Sequence, residues 1–200
     1  MKRTFAIAML AMLLSATTSG LAQTAVAPPP KPADSGPSLD VTMKFIQDKV
    51  SSNGSVTCTA ILTDTSTGEE STSIKQGCGF VTTHVVADPA ACTISFHRKY
   101  FRYDGSVRRE GDYSLDLRKV EDISVMPIAQ FWNRDGVQIQ GVSCCTVTPE
   151  VYVVWPRPVD ARYSRSGGEF HFYSEEMADR VAKALTHAVE LCGGGNKEPF

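Results

Sequence analysis

SEEMADRVAKALTHAVELCG, Ser174 to Gly193, is the stretch on which the fold turns. Met177, Val181, Leu185, Ala188 and Cys192 recur at steps of four, four, three and four, one apolar stripe on a helix. Asp179, Arg180, Lys183, Thr186, His187 and Glu190 fall on the other side. Ser174 offers a hydroxyl to the first-turn amides, Glu175 and Glu176 complement the positive start of the helix, and Gly193 ends it. One face of this helix must be buried, and the residues before it indicate against what.

Upstream the apolar period shortens to two. Val56–Thr63 is rich in Val, Thr and Ile and runs into a polar loop at Asp64–Gly68; a second β-prone run reaches Val86, where Asp88-Pro89 breaks it. Cys92, Ile94 and Phe96 alternate in a run to Tyr103, Asp104-Gly105 marks a tight hairpin, and Tyr113, Leu115 and Leu117 alternate after it. Ile123–Trp132, Val137–Val147 and Val151–Trp155 are further β-rich stretches, separated by Asp135-Gly136 and Pro149. Phe170 and Phe172 mark a last short strand beyond Gly167-Gly168. The expected fold is mainly β (α+β), seven or eight antiparallel strands in a sandwich or barrel with a C-terminal capping helix. Before the strands, Leu39, Met43, Ile46 and Val50 predict a short helix over Ser38–Ser51, ended by left-handed residues at Asn53-Gly54. The rival is a strand through Leu39, Val41, Met43 and Phe45.

Lys2 and Arg3, the apolar run Phe5–Leu14 and the small residues up to Ala22 have the layout of a secretory signal peptide over residues 1–22. That run is too short for a membrane span, and no other segment approaches the roughly 20 apolar residues a span needs. Pro28, Pro29, Pro30, Pro32 and Pro37 make residues 23–37 an extended spacer, leaving one domain over 38–193 and a disordered tail at 194–200. The protein is therefore expected in the periplasm or secreted. Loss of the two leader cations takes the formal charge from −2 to −4, which gives no support for a nucleic-acid partner.

Cys58, Cys78, Cys92, Cys144, Cys145 and Cys192 all follow the leader, and an even count in an oxidising space predicts up to three structural disulfides of unassigned pairing. Cys144 and Cys145 would face opposite ways in a strand and seek different partners. The cysteines show no CxxC or CxxH spacing and His84, His97, His171 and His187 no ligand spacing, so neither a metal nor another cofactor is expected. No GxSxG elbow occurs, and a thiol enzyme would need Cys144 or Cys145 free beside a histidine. One cluster invites binding: Arg98, Lys99, Arg102, Arg108 and Arg109 on the arms of the Asp104-Gly105 hairpin, interleaved with Tyr100, Phe101 and Tyr103. Cations with aromatic area suit an anionic partner or headgroup layer; the plain alternative is a solvated hairpin, partly neutralised by Asp104, Glu110 and Asp112.

The order of elements, seven strands closed by the helix Glu175–Cys192, resembles the pleckstrin-homology-like barrel and its GRAM relatives over Ser55–Gly193. The run Tyr113-Ser-Leu-Asp-Leu-Arg-Lys-Val-Glu-Asp-Ile-Ser-Val125 fits their strand, acidic turn and strand. The resemblance implies a barrel plugged at one end by the helix, and a groove or sheet edge offered to peptides or proteins. Phosphoinositide-binding members carry a basic cluster on the first hairpin. Here that hairpin, Asp64–Ser71, holds Glu69 and Glu70 and no cation, so the resemblance does not extend to inositol lipids. Ala178–Ala188 is also similar to the ends of uncharacterised exported bacterial proteins, which implies no activity. The expected function is a non-enzymatic module of the bacterial envelope binding a protein or envelope component. The alternatives are a barrel carrier of an apolar ligand and, further off, a thiol enzyme or hydrolase.

Overall fold

The computed structural model describes residues 36–64, 73–102, 105–134, 142–159 and 168–195, with backbone alone at 62–64, 73–76, 133–134 and 142–145. They form α1 (Leu39–Asn53), β1 (Val56–Asp64), β2 (Ser73–Asp88), β3 (Thr93–Phe101), β4 (Val107–Asp116), a 3-10 turn at Leu117–Lys119, β5 (Val120–Pro127), α2 (Ile128–Arg134), β6 (Val142–Thr148), β7 (Tyr152–Pro158), β8 (Phe170–Phe172) and α3 (Glu175–Leu191). The described chain is mainly β: eight strands in two antiparallel sheets, ordered β4-β3-β2-β1-β6 and β5-β7-β8, with a C-terminal helix. The sheets are not closed on one another. The leader, the spacer up to Ser35, most of the Asp64–Ser71 hairpin, the Asp135-Gly136 turn, Gly167 and the last five residues lie outside the described residues.

Both end helices form where the apolar spacing places them. In α1, Ser38 accepts a hydrogen bond from the Val41 amide and Met43, Ile46 and Val50 are buried. Val41, which the rival strand would have turned inward, is 60% exposed. Gly54 ends this helix with φ −80°, not left-handed as expected; glycine is needed there because a Cβ would strike the Val50 carbonyl. In α3, Ser174 caps the Met177 amide, and Gly193, at φ +80°, ends the helix as expected. Beyond it the Gly194 amide donates to Val189 and the Gly195 amide to Val120. The first two residues of the expected disordered tail are thus held by hydrogen bonds.

The segment Ile128–Trp132 is helical rather than the expected end of a strand. Pro127 is the last β5 residue in the ladder with β7, the Ile128 amide turns to the Val151 carbonyl, and residues at +3 and +4, Phe131 and Trp132, pack with buried Ile128 on one core.

Two apolar cores lie along the long strands. The larger joins Met43, Ile46 and Val50 of α1 and Val181, Leu185 and Ala188 of α3 to Ile94, Phe96, Val154, Phe170 and Phe172. The smaller joins Val56, Cys58 and Phe80 to Met126, Ile128, Val151, Val153 and Trp155. Val153 and Val154 serve different cores because adjacent strand residues point to opposite faces, so β7 is buried on both sides. The register of β2 against β3 shifts between Thr83 and Val86, where His84 has φ +51°. β2 thereby gives Phe80 to the smaller core and Val85 to the larger.

Candidate functional site

Between Phe80 and Val85 on β2, and between Phe96 and Tyr100 on β3, the two cores leave a polar seam. Arg98 fills it with no exposure at all. Its Nη2 donates to the Glu169 carbonyl, Nη1 lies 3.4 Å from the Glu169 carboxylate and donates to the Tyr100 hydroxyl at 3.4 Å, and Nε donates to Thr82 Oγ1 at 3.4 Å. The Tyr100 hydroxyl donates to Glu169 Oε1 at 2.9 Å. Burial first, and the negative Glu169 second, push the Tyr100 phenol far above its ordinary value of 10.0. The guanidinium carbon lies 4.6 Å from the Phe96 ring centre and within 6 Å of Tyr100, Tyr113 and Phe170, a setting in which ring faces replace lost hydration.

His171 completes the seam. It projects from β8 opposite to its neighbours Phe170 and Phe172, stacks on Phe80 at 3.8 Å and is 1% exposed. Its Nδ1 has no hydrogen-bond partner. Burial, with the Arg98 charge secondary, holds its pKa well below 6.5, so the ring is neutral. Through Nδ1 it is therefore coupled to no hydroxyl or thiol, and that nitrogen activates no nucleophile.

The basic hairpin expected from the sequence is divided by strand alternation. Arg98 and Tyr100 share the inward face of β3 with Ile94 and Phe96, and buried Arg98 is not available to a surface partner. Lys99 faces outward and is bound to Glu110 at 2.8 Å. Arg102, Arg108 and Arg109 are exposed. The Arg102 amide donates to the Ser106 carbonyl and the Gly105 amide to the Arg102 carbonyl, with Gly105 at φ +78°. Tyr103 and Asp104 lie outside the described residues. Along β4, the charges and a register irregularity opposite Tyr100–Phe101 are features that keep a sheet edge from pairing.

On the outer face His97 lies between two acids, its Nδ1 2.7 Å from Asp112 and its Nε2 2.9 Å from Glu110. Carboxylates only accept, so both contacts are hydrogen bonds at once only when the ring is protonated. The Asp112 hydrogen bond first, and that of Glu110 second, raise its pKa above 6.5. With the folded value above the unfolded one, this interaction is fully present below pH 6.5 and is lost as pH rises through the folded value. The His97 ring resonances are expected to titrate with a midpoint above 6.5 by NMR, and Asp112→Asn should bring that midpoint down.

Cys58 is bonded to Cys78, and Cys92 to Cys192. Cys144 and Cys145 lie in β6, where only backbone is described, so their expected pairing falls outside the described side chains. His84 approaches His97 at 6.2 Å between ring centres, and His187 Nε2 donates to the carbonyl of Pro37, two residues before α1, at 2.8 Å, holding that segment on α3. Trp155 is buried against Phe131, and Trp132 is partly buried. Among the described residues no group of three or more His, Cys, Asp or Glu could hold a metal ion, and no helix is long and apolar enough to cross a membrane.

Sequence reasoning left Glu169 and His171 out of the site, and placed Arg98 on the wrong side of its strand. Strand alternation turns His171 to the face opposite Phe170 and Phe172, and Glu169 stands beside a glycine pair, so neither carried a sequence signal of burial. Comparison with known proteins adds no further assignment: no family model, no curated protein and no solved structure matches this chain.

Proposed function

We propose that this chain is an exported, non-enzymatic binding module of the bacterial envelope that holds an anionic partner, a protein or envelope component, at the β3–β4 hairpin. One observation carries the reading: among the described residues the cations farther from the turn are neutralised and those beside it are not. Arg98 meets Glu169 and Lys99 meets Glu110, whereas Arg102, Arg108 and Arg109 are exposed and have no carboxylate partner among the described residues. Exposed guanidiniums with no carboxylate partner among the described residues, Arg109 lying 5.6 Å from the Tyr113 ring centre, offer forks suited to carboxylates and phosphates and raise the rate and specificity of meeting an anionic surface. Two disulfides and a leader-like N-terminus support export. Strands followed by α3 support the pleckstrin-homology-like order of elements, while the unclosed sheets support neither its barrel nor a barrel that carries an apolar ligand.

The test is affinity capture from envelope extract by the oxidised chain, compared with its Arg102→Glu/Arg109→Glu variant. Captured material should fall at least about tenfold in the variant and decline with added salt, two exposed charges reversed being worth about 1.4 kcal/mol or more. Equal, salt-insensitive capture would remove the hairpin as the site. Arg98 is left intact, because changing it tests the core instead.

A further inference from the structure

We propose that the seam is an acid-operated latch: the segment Gly168–Phe172 closes over the junction of the two cores at neutral pH and opens, ahead of the rest of the domain, when His171 takes up a proton. This goes beyond the binding reading and does not depend on the arginine hairpin.

The segment puts Phe170 and Phe172 into the larger core, and its polar ties among the described residues are few. β8 pairs through three residues with β7 and lies at the edge of its sheet. Among the described residues its other polar ties are those of Glu169, whose carbonyl and carboxylate take Arg98 and whose carboxylate also takes Tyr100. At its C-terminal end the Tyr173 hydroxyl accepts from the Thr57 amide at 2.7 Å and donates to the Thr57 carbonyl at 3.1 Å, a fixed point about which the segment can turn.

Into this closure the chain puts one titratable group without support. His171 is 1% exposed with Nδ1 unpartnered. Among the described residues the groups facing the seam are Arg98 and Tyr100 from β3, Thr82 and Phe80 from β2, and Glu169 beside β8. The one anion among them, Glu169, is already shared by Arg98 and Tyr100. An imidazolium there would be desolvated next to a buried guanidinium, the two conditions that most oppose a positive charge. The proton is accommodated by releasing the segment to water.

The sign follows from linkage. The closed ring binds its proton only well below pH 6.5, while in the open segment it regains an ordinary value. The latch is therefore fully closed above pH 6.5, and the open population grows by up to about tenfold for each pH unit below it, one proton being taken up on opening. Opening bares the ring faces of Phe80 and Tyr100, which pack at 5.4 Å in the seam. Opening also withdraws Phe170 and Phe172 from the larger core, so α1 and α3 lose their contacts with β8 but keep those with each other and with β2, β5 and β7, and the β1–β2–β3 ladder stays paired.

The experiment is residue-level amide hydrogen exchange on the intact oxidised chain between pH 7.5 and 5, corrected for the intrinsic pH dependence of exchange. Loss of protection confined to residues 168–172, deepening by up to about tenfold per pH unit while β1–β3 stay protected, is the expected result. His171→Phe should remove the pH dependence while keeping the segment closed. Glu169→Gln should raise opening at every pH and leave the slope in place. Protection unchanged to pH 5, or lost uniformly over both sheets, would overturn the latch. Persistence of the slope in His171→Phe would overturn the role of the histidine. None of these results bears on capture by Arg102 and Arg109, which is read separately.

Discussion

Removing the Cys92–Cys192 disulfide, as the double Cys92→Ser/Cys192→Ser variant, is expected to cost more stability than removing Cys58–Cys78. The reason is chain topology. Cys92 and Cys192 are 100 residues apart in sequence, and closing a loop of that size in the unfolded chain corresponds to about 4.7 kcal/mol in the chain-entropy treatment. Cys58 and Cys78 are 20 apart, which gives about 3 kcal/mol, and they sit directly opposite in the β1–β2 ladder. The long bridge has a further role: it ties the C-terminal end of α3 to the turn between β2 and β3, where the Cys92 carbonyl accepts the Leu117 amide. For a domain of about 155 residues the larger loss lowers Tm by roughly 10–20 °C. Urea unfolding of the two double-serine variants checks the order. A smaller effect at Cys92–Cys192 than at Cys58–Cys78 would show that α3 is held by its core contacts alone.

What was legible in the sequence follows from how local the controlling physics is. The end helices could be read because a cap, an apolar stripe and a stop signal lie within each segment. Strands could be read as runs rich in β-branched residues, and the hairpin at Gly105 from its turn residues. Ile128–Arg134 was misread because its apolar residues suit a strand as well as a helix; what decided was Val151, whose carbonyl takes the Ile128 amide across a gap in sequence. The split of β2 and β3 between two cores was not legible, since it depends on a register shift at Thr83/Val86 that no residue announces. The seam was half legible. The alternation Ile94, Phe96 continues to Arg98 and Tyr100, so the period alone puts the arginine inward. Charge argued the other way, because lysine and arginine are seldom fully buried unless paired. The partner that reverses the argument, Glu169, is 71 residues away.

Replacing that arginine separates the two readings. If Arg98 lay on the hairpin surface, Arg98→Met would change stability by no more than about 0.5 kcal/mol. In the seam the same change leaves the Glu169 carbonyl without its guanidinium donor, takes the donors from Thr82 Oγ1 and the Tyr100 hydroxyl, and strips the Glu169 carboxylate of its counter-charge. Loss of one partner from a buried ion pair is expected to cost about 3–5 kcal/mol. Arg98→Lys keeps the charge but cannot reach the carbonyl, carboxylate, phenol and threonine together, so it should recover only part of the loss. Removing both charges is gentler than removing one: Arg98→Met/Glu169→Met should be destabilised by less than the sum of the two single changes, with about 1–3 kcal/mol of coupling. Urea denaturation of the four proteins at neutral pH measures the cycle. Additive effects, or a single-mutant cost near zero, would mean that the guanidinium is solvated and that the two cores meet without it. A large coupling would establish the Arg98–Glu169 pair as the tie between β3 and the segment that leads into β8, and with it the reason a basic residue stands in the apolar alternation of a central strand.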